Sequence, residues 1–194
     1  HDFRGFPPEL YQLQYPAAGD PALAGAIVQR LQRSGLDARA DSQRPRDHGA
    51  WVPLSLMYPA ADIPVLQISL PTRRGAAFQL AVGAALAELR EEGVLLIGSG
   101  SITHNLGELD WQAGTQTITP WAQEFRNWMV ARLTAADTSA LLDYRAQAPF
   151  AVRSLPSDEH LVPLFFAMGA GGTVTVEHAG FTLGALGMDI YSFA

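Results

Sequence analysis

The sequence predicts an α/β fold: a mixed, largely parallel sheet flanked by helices in a single domain. Two observations carry this. Ile63–Leu70 and Val94–Ile97 are apolar runs of strand length, and the stretch 76–92 between them is rich in alanine and leucine and reads as a helix. Strand, helix and strand in that order make a βαβ unit, whose two strands lie parallel and joined by a right-handed crossover. A third observation sets the scale. With 194 residues, 48% apolar and 16% charged, the chain is globular and long enough for one sizeable core or a large part of one.

The other elements follow in order. Asp20-Pro21 starts a helix, with Asp as N-cap and Pro at the first helical position. Leu23, Ala24, Ile27, Val28 and Leu31 then recur at helical spacing until Gly35 stops the run. Residues 37–50 are polar, contain Pro45 and read as a loop; Trp51–Tyr58 reads as a helical turn or two. Pro64 is tolerated in its strand only at the start. Gly93 caps the 76–92 helix. Thr119-Pro120 opens a helix carrying Trp121, Phe125, Trp128, Met129 and Leu133, and a shorter one runs from Thr138 to Arg145. Asp158–Met168 reads as a helix that begins in acid, which suits its dipole. Gly171-Gly172 breaks it, and Thr173–Glu177 alternates Thr and Val as a strand does.

Composition excludes several classes. The formal net charge is −6 and the basic residues are scattered, which argues against a nucleic-acid groove. There is no cysteine, so disulfides and thiolate metal sites are excluded. Any metal must be held by His, Asp or Glu, which suits iron, zinc or manganese. No apolar run approaches the roughly 18 residues of a membrane span. No signal peptide is visible, so the cytoplasm is the default location.

Gly98-Ser99-Gly100-Ser101-Ile102-Thr103-His104-Asn105-Leu106 leaves the predicted strand 94–97 through two glycines and presents a histidine beyond its C-terminal end. Ligands bind there in open α/β sheets, and a histidine can bind metal or move a proton near neutral pH. The plainer reading of His104 is a ring that caps the next segment. His48, in Asp47-His48-Gly49-Ala50-Trp51, is either a loop residue paired with Asp47 or a pocket proton donor walled by Trp51. His160, in Asp158-Glu159-His160-Leu161, stands at a predicted helix N-terminus that keeps its ring neutral, as ligation requires. Neighbouring helical residues point about 100° apart, so Glu159 and His160 do not readily reach one ion. His1 and His178 read as structural. Gly98-x-Gly100 lacks the third glycine of a dinucleotide fingerprint. Asp110 and Trp111 read either as orienting the His104 loop or as surface residues, and the arginines at 30, 33, 39, 44 and 46 as a solvated face.

Together these segments resemble the class III extradiol ring-cleavage dioxygenases of the DODA type. The stretches that carry the likeness are Asp2–Tyr11, Tyr15-Pro16-Ala17, Asp47–Leu54, Leu56–Pro59, Gly98–Leu106, Glu159–Leu164 and His178–Asp189. The resemblance implies a mixed α/β fold and a non-haem metal site holding Fe(II) or Zn(II). It implies cleavage of a catechol ring beside its two hydroxyls with O₂, giving a muconic semialdehyde. It makes His160 a metal ligand, His104 either a metal ligand or the adjacent acid/base, and His48 a pocket residue near the substrate. The expected partners are therefore a catechol and O₂, with neither nucleic acid nor membrane, and a homo-oligomer is allowed.

One departure stands out. The family also has an early His-Gly-Ser and a later Ser-Ala-His-Trp segment, each giving a metal ligand upstream of the Phe-Pro-Pro block, and neither is present here. Two histidines are too few, since catalytic ions commonly have three protein ligands. The expectation is that residues 1–194 are the C-terminal portion of a single catalytic domain. Two other functions compete: a zinc-dependent hydrolase on the same scaffold, and a non-catalytic aromatic-binding homologue.

Overall fold

The computed structural model describes residue 5 and residues 7–114 and 117–194. It divides into two compact units, His1–Ser69 and Leu70–Ala194.

In the first unit, α1 (Pro21–Arg33) starts as expected, with the Asp20 carboxylate accepting from Leu23 N at 2.9 Å. The second helix, α2 (His48–Met57), is longer than its apolar residues alone suggest. Its cap explains the extra turn: the Asp47 carboxylate accepts from Ala50 N at 3.2 Å. Gln67 fixes that cap, accepting from Asp47 N at 3.0 Å and donating to the other carboxylate oxygen. Arg46 is not part of a solvated face; its guanidinium donates to Ala18 O and Val65 O, both at 3.0 Å.

The second unit is mainly helical. A 3₁₀ turn precedes α3 (Gly75–Leu86), and a second, Ala87–Glu92, carries it to Gly93. Gly93 adopts φ +79°, the left-handed conformation that ends a helix. Then come α4 (Pro120–Thr134), the short α5 (Thr138–Leu142), α6 (Tyr144–Gln147) and α7 (Ala151–Ser154), and α8 (Val162–Gly169). Phe125, Met129, Leu141, Leu155, Leu161 and Phe165 are all at most 1% exposed and form the centre of the core. Helices α3 and α8 meet backbone to backbone. A Cβ on Gly83 would lie 2.0 Å from Phe166 O, and one on Gly169 would lie 2.1 Å from Leu80 O.

Among the described residues the expected largely parallel sheet is not seen. The described residues contain two small antiparallel ladders, β1 (Val174–His178) with β4 (Ile190–Phe193), and β2 (Phe181–Thr182) with β3 (Leu186–Gly187). Segments 63–70 and 94–97 are not in strand ladders. Hydrophobic runs make a chain extended, but a strand exists only when a neighbour takes up its N–H and C=O groups. Val65 N finds a single partner in Ala18 O, at 2.8 Å. Leu95 and Ile97 remain 61% and 44% exposed, where a central strand would bury them.

The helix expected from Asp158 starts four residues later, at Val162. Pro163 then falls in its first turn, where its missing N–H costs nothing. Residues 158–161 form the entry turn, in which Leu161 N and Val162 N donate to Asp158 O at 2.9 and 3.0 Å. The Asp158 carboxylate accepts from the Tyr144 hydroxyl and from Arg145 Nε, the latter at 2.7 Å. Burial raises its pKa, but the Tyr144 and Arg145 hydrogen bonds outweigh that and leave it below the usual value. A depressed carboxylate contributes stability above its unfolded pKa and loses it as pH falls through the folded one. We expect Asp158→Asn to destabilise the fold by about 1–2 kcal/mol at pH 7, allowing for partial exposure. Urea titrations of both proteins should converge as the pH is taken below 3.8, the ordinary value for Asp.

Candidate functional site

His104 and His160, 56 positions apart in sequence, are stacked face to face. Their ring centroids are 3.4 Å apart and the planes differ by 8°. Two backbone approaches bring them together. Ser101 N donates to His160 O at 2.7 Å, and His104 N donates to Ser154 O at 2.8 Å. The residue after His104 is held as well: Asn105 Nδ2 donates to Arg153 O at 2.7 Å, and its Oδ1 accepts from Gly107 N at 3.1 Å.

The two glycines of the 98–106 segment serve close approach rather than a left-handed turn. Neither is among the glycines with positive φ. A Cβ on Gly98 would lie 2.1 Å from Pro163 O, and one on Gly100 would lie 2.2 Å from His160 O. Real Cβ atoms do not come that near a carbonyl oxygen, so only glycine lets this loop lie against the entry of α8.

The electrostatics separate the two rings. Burial, then the neighbouring His160, lowers the His104 pKa below 6.5; its backbone hydrogen bond and Glu159 act the other way. His104 is therefore neutral at pH 7 and ready to accept a proton. Glu159 lies beside His160, its carboxylate oxygen 3.5 Å from Nδ1. The Ser157 hydroxyl hydrogen bond is the main influence that lowers the Glu159 pKa.

His48 is the first residue of α2, immediately after the Asp47 cap, and belongs to the first unit. In that unit Leu13, Gln14, Tyr15, Pro16, Arg46 and Trp51 line an open hollow of about 300 Å³. His178 ends β1, its ring against Gly180. His1 lies outside the described residues. Asp110 caps a local turn by accepting from Gln112 N at 3.0 Å, and Trp111 is 74% exposed, so neither serves the His104 loop.

Ser101 and the C-terminal hairpin around Gly187 also touch this site, and residue type alone did not mark them. Thr103, wholly buried, donates its hydroxyl to Ala185 O at 2.7 Å. Among the described residues no group of three or more His, Asp or Glu side chains could hold a metal ion.

Comparison with known proteins places the chain. The model of the family "Catalytic LigB subunit of aromatic ring-opening dioxygenase" matches residues 1–194. The chain is 45% identical over 174 residues to a 4,5-DOPA dioxygenase extradiol of Beta vulgaris, covering 89% of this chain and 64% of that protein. It is 37% identical over 195 residues to the protein of that name from Escherichia coli, covering 97% of this chain and 70% of that one. A crystal structure of an uncharacterized protein from Escherichia coli K12 superposes with a TM-score of 0.83 at 33% identity. It covers 95% of this chain and 77% of that chain. The chain thus spans about two thirds to three quarters of the length of these relatives. It belongs to the family of the catalytic LigB subunit of aromatic ring-opening dioxygenases.

Proposed function

We propose that this protein opens a catechol-type aromatic ring beside its two hydroxyls, using O₂ and a non-haem metal, as an extradiol dioxygenase. In this reading residues 1–194 are the C-terminal portion of a single catalytic domain, and the protein works in the cytoplasm. The observation that carries the proposal is the His104–His160 pair, built from two distant motifs and held by glycines that admit no side chain. The relatives' names, 4,5-DOPA dioxygenase extradiol, supply the substrate class.

This reading gives the two rings different work. In it His160 would be a metal ligand and His104 the acid/base, a role that its burial and neutral ring support, while the spacing leaves His104 open to either. The described residues do not complete a donor set by themselves. Ferrous iron, when bound, would supply the redox chemistry that O₂-dependent ring opening needs and that zinc lacks.

The chain's own residues then have defined tasks. Neutral His104 takes a proton from a catechol hydroxyl and returns it later as an acid. Its partial burial favours the neutral ring that can accept that proton. His48, at the N-terminus of α2, is the proposed pocket contact of the substrate.

The test is direct. The protein, expressed as its gene encodes it, is loaded anaerobically with Fe(II) and given a panel of catechols that includes DOPA. Yellow ring-opened product and stoichiometric O₂ uptake are expected. No colour and no uptake across the panel would overturn the proposal, and ester turnover with tightly bound zinc would replace it with a hydrolase.

A further inference from the structure

The geometry points to Ser101 as the positioning residue that, with the C-terminal hairpin, sets the His104 ring onto His160. The hydrogen bonds of Ser101 reach the His104 loop, the His160 turn and the hairpin. Its N–H donates to His160 O at 2.7 Å. Its hydroxyl lies 2.8 Å from both Thr103 O and Gly187 O, sharing its single hydrogen between the carbonyl beside His104 and the hairpin.

The hairpin is a firm support. Thr103, next to His104, is wholly buried and bonded to Ala185 O, and Gly187 N donates back to Thr103 O at 3.3 Å. Gly187 has no room for a side chain: a Cβ there would lie 2.6 Å from Ile102 Cγ2 and 2.9 Å from Thr103 Oγ1. Ile102 is 4% exposed, so neither neighbour can swing into solvent. Two residues on, Asp189 pairs with Arg126 of α4 at 2.6 Å, its side chain 1% exposed. The hairpin is thereby tied to α4, and through Ser101 and Thr103 it fixes where the His104 ring can lie.

The kinetic part of the test rests on the dioxygenase reading; the spectroscopic part does not. In the metal-free protein, expressed as its gene encodes it, NMR of the histidine ring protons should show a direct His104–His160 contact and the upfield shifts that stacked rings produce. Ser101→Ala should weaken both, and Ser101→Thr, which keeps the hydroxyl, should restore them. In the Fe(II)-loaded protein, Ser101→Ala should lower kcat by about 10- to 100-fold, as small misplacements of a reacting group do, with KM within about twofold. Unchanged ring contact in Ser101→Ala would overturn the inference, as would a loss of kcat that Ser101→Thr does not rescue. If Ser101→Ala does not fold, Gly187→Ala takes its place: displaced rings would support the inference and an intact stack would overturn it. If the wild type turns over no catechol, the dioxygenase reading fails while the ring contact still decides the role of Ser101.

Discussion

His104→Gln should lower kcat by about 10²- to 10⁴-fold, the range over which a positioned acid/base contributes, while bound metal per chain stays at the wild-type level. Glutamine nearly matches the imidazole in length and polarity but cannot take up a proton near neutral pH. The metal measurement separates the two roles that the spacing of the motif leaves open. A ligand's loss lowers metal content and rate together; an acid/base's loss lowers the rate alone. His160→Ala is the companion, and there metal content should fall. The pH profile gives an independent check. Because burial and His160 hold the His104 pKa below 6.5, the wild-type rate should fall on the acid side only below that pH. His104→Gln should lack that limb. A His104→Gln protein that loses its metal, or that keeps wild-type kcat, would refute the assignment.

The sequence made the helices legible and, of the strands, the Thr–Val alternation that became β1 but not the expected parallel sheet, for one physical reason. A helix closes its hydrogen bonds within itself, so Asp20-Pro21, Thr119-Pro120 and Gly93 mark real boundaries. A strand needs a partner, and the apolar runs at 63–70 and 94–97 say nothing about who that partner is. The site divides the same way. His104 and His160 were visible as motif residues, and Gly98 and Gly100 as their companions. What the glycines do was not visible: they read as a turn and prove to be close contacts with Pro163 and His160. Their function depends on a segment some 60 positions downstream. The hairpin residues Ala185 and Gly187 carry no chemical signal, since they act only through their backbone and the space they leave. Pro163 and the cap at Asp47 carry local signals: α8 starts at Val162 rather than in the acidic turn at Asp158, and α2 starts at His48 rather than at Trp51.

Gly83→Ala should be the most damaging small change to stability. Two effects oppose each other. Alanine is better than glycine inside a helix by about 1 kcal/mol, because it restricts the unfolded chain. Against that, the new methyl on α3 would lie 2.0 Å from Phe166 O of α8, and helix backbone cannot swing aside as a side chain can. Overpacking of this kind costs about 3 kcal/mol or more, and here α3 and α8 must part along their length, because Gly169 meets Leu80 O in the reciprocal contact. The clash wins, with a net loss of about 2–3 kcal/mol, or roughly 5–10 °C in Tm for a chain of this size. Gly25→Ala in α1 is the control: nothing lies within 4 Å of its Cβ position, so the propensity gain should stand alone and Tm should stay level or rise. Thermal unfolding of the three proteins, followed by circular dichroism, checks both. The consequence reaches the site, because α8 begins at Val162, two residues after His160. Parting α3 from α8 moves the turn that carries His160 away from the Gly98–Gly100 loop. Gly83→Ala should therefore lose the His104–His160 ring contact at temperatures where it is still folded, whereas a variant as stable as the wild type would show that α3 and α8 have more freedom than their contact implies.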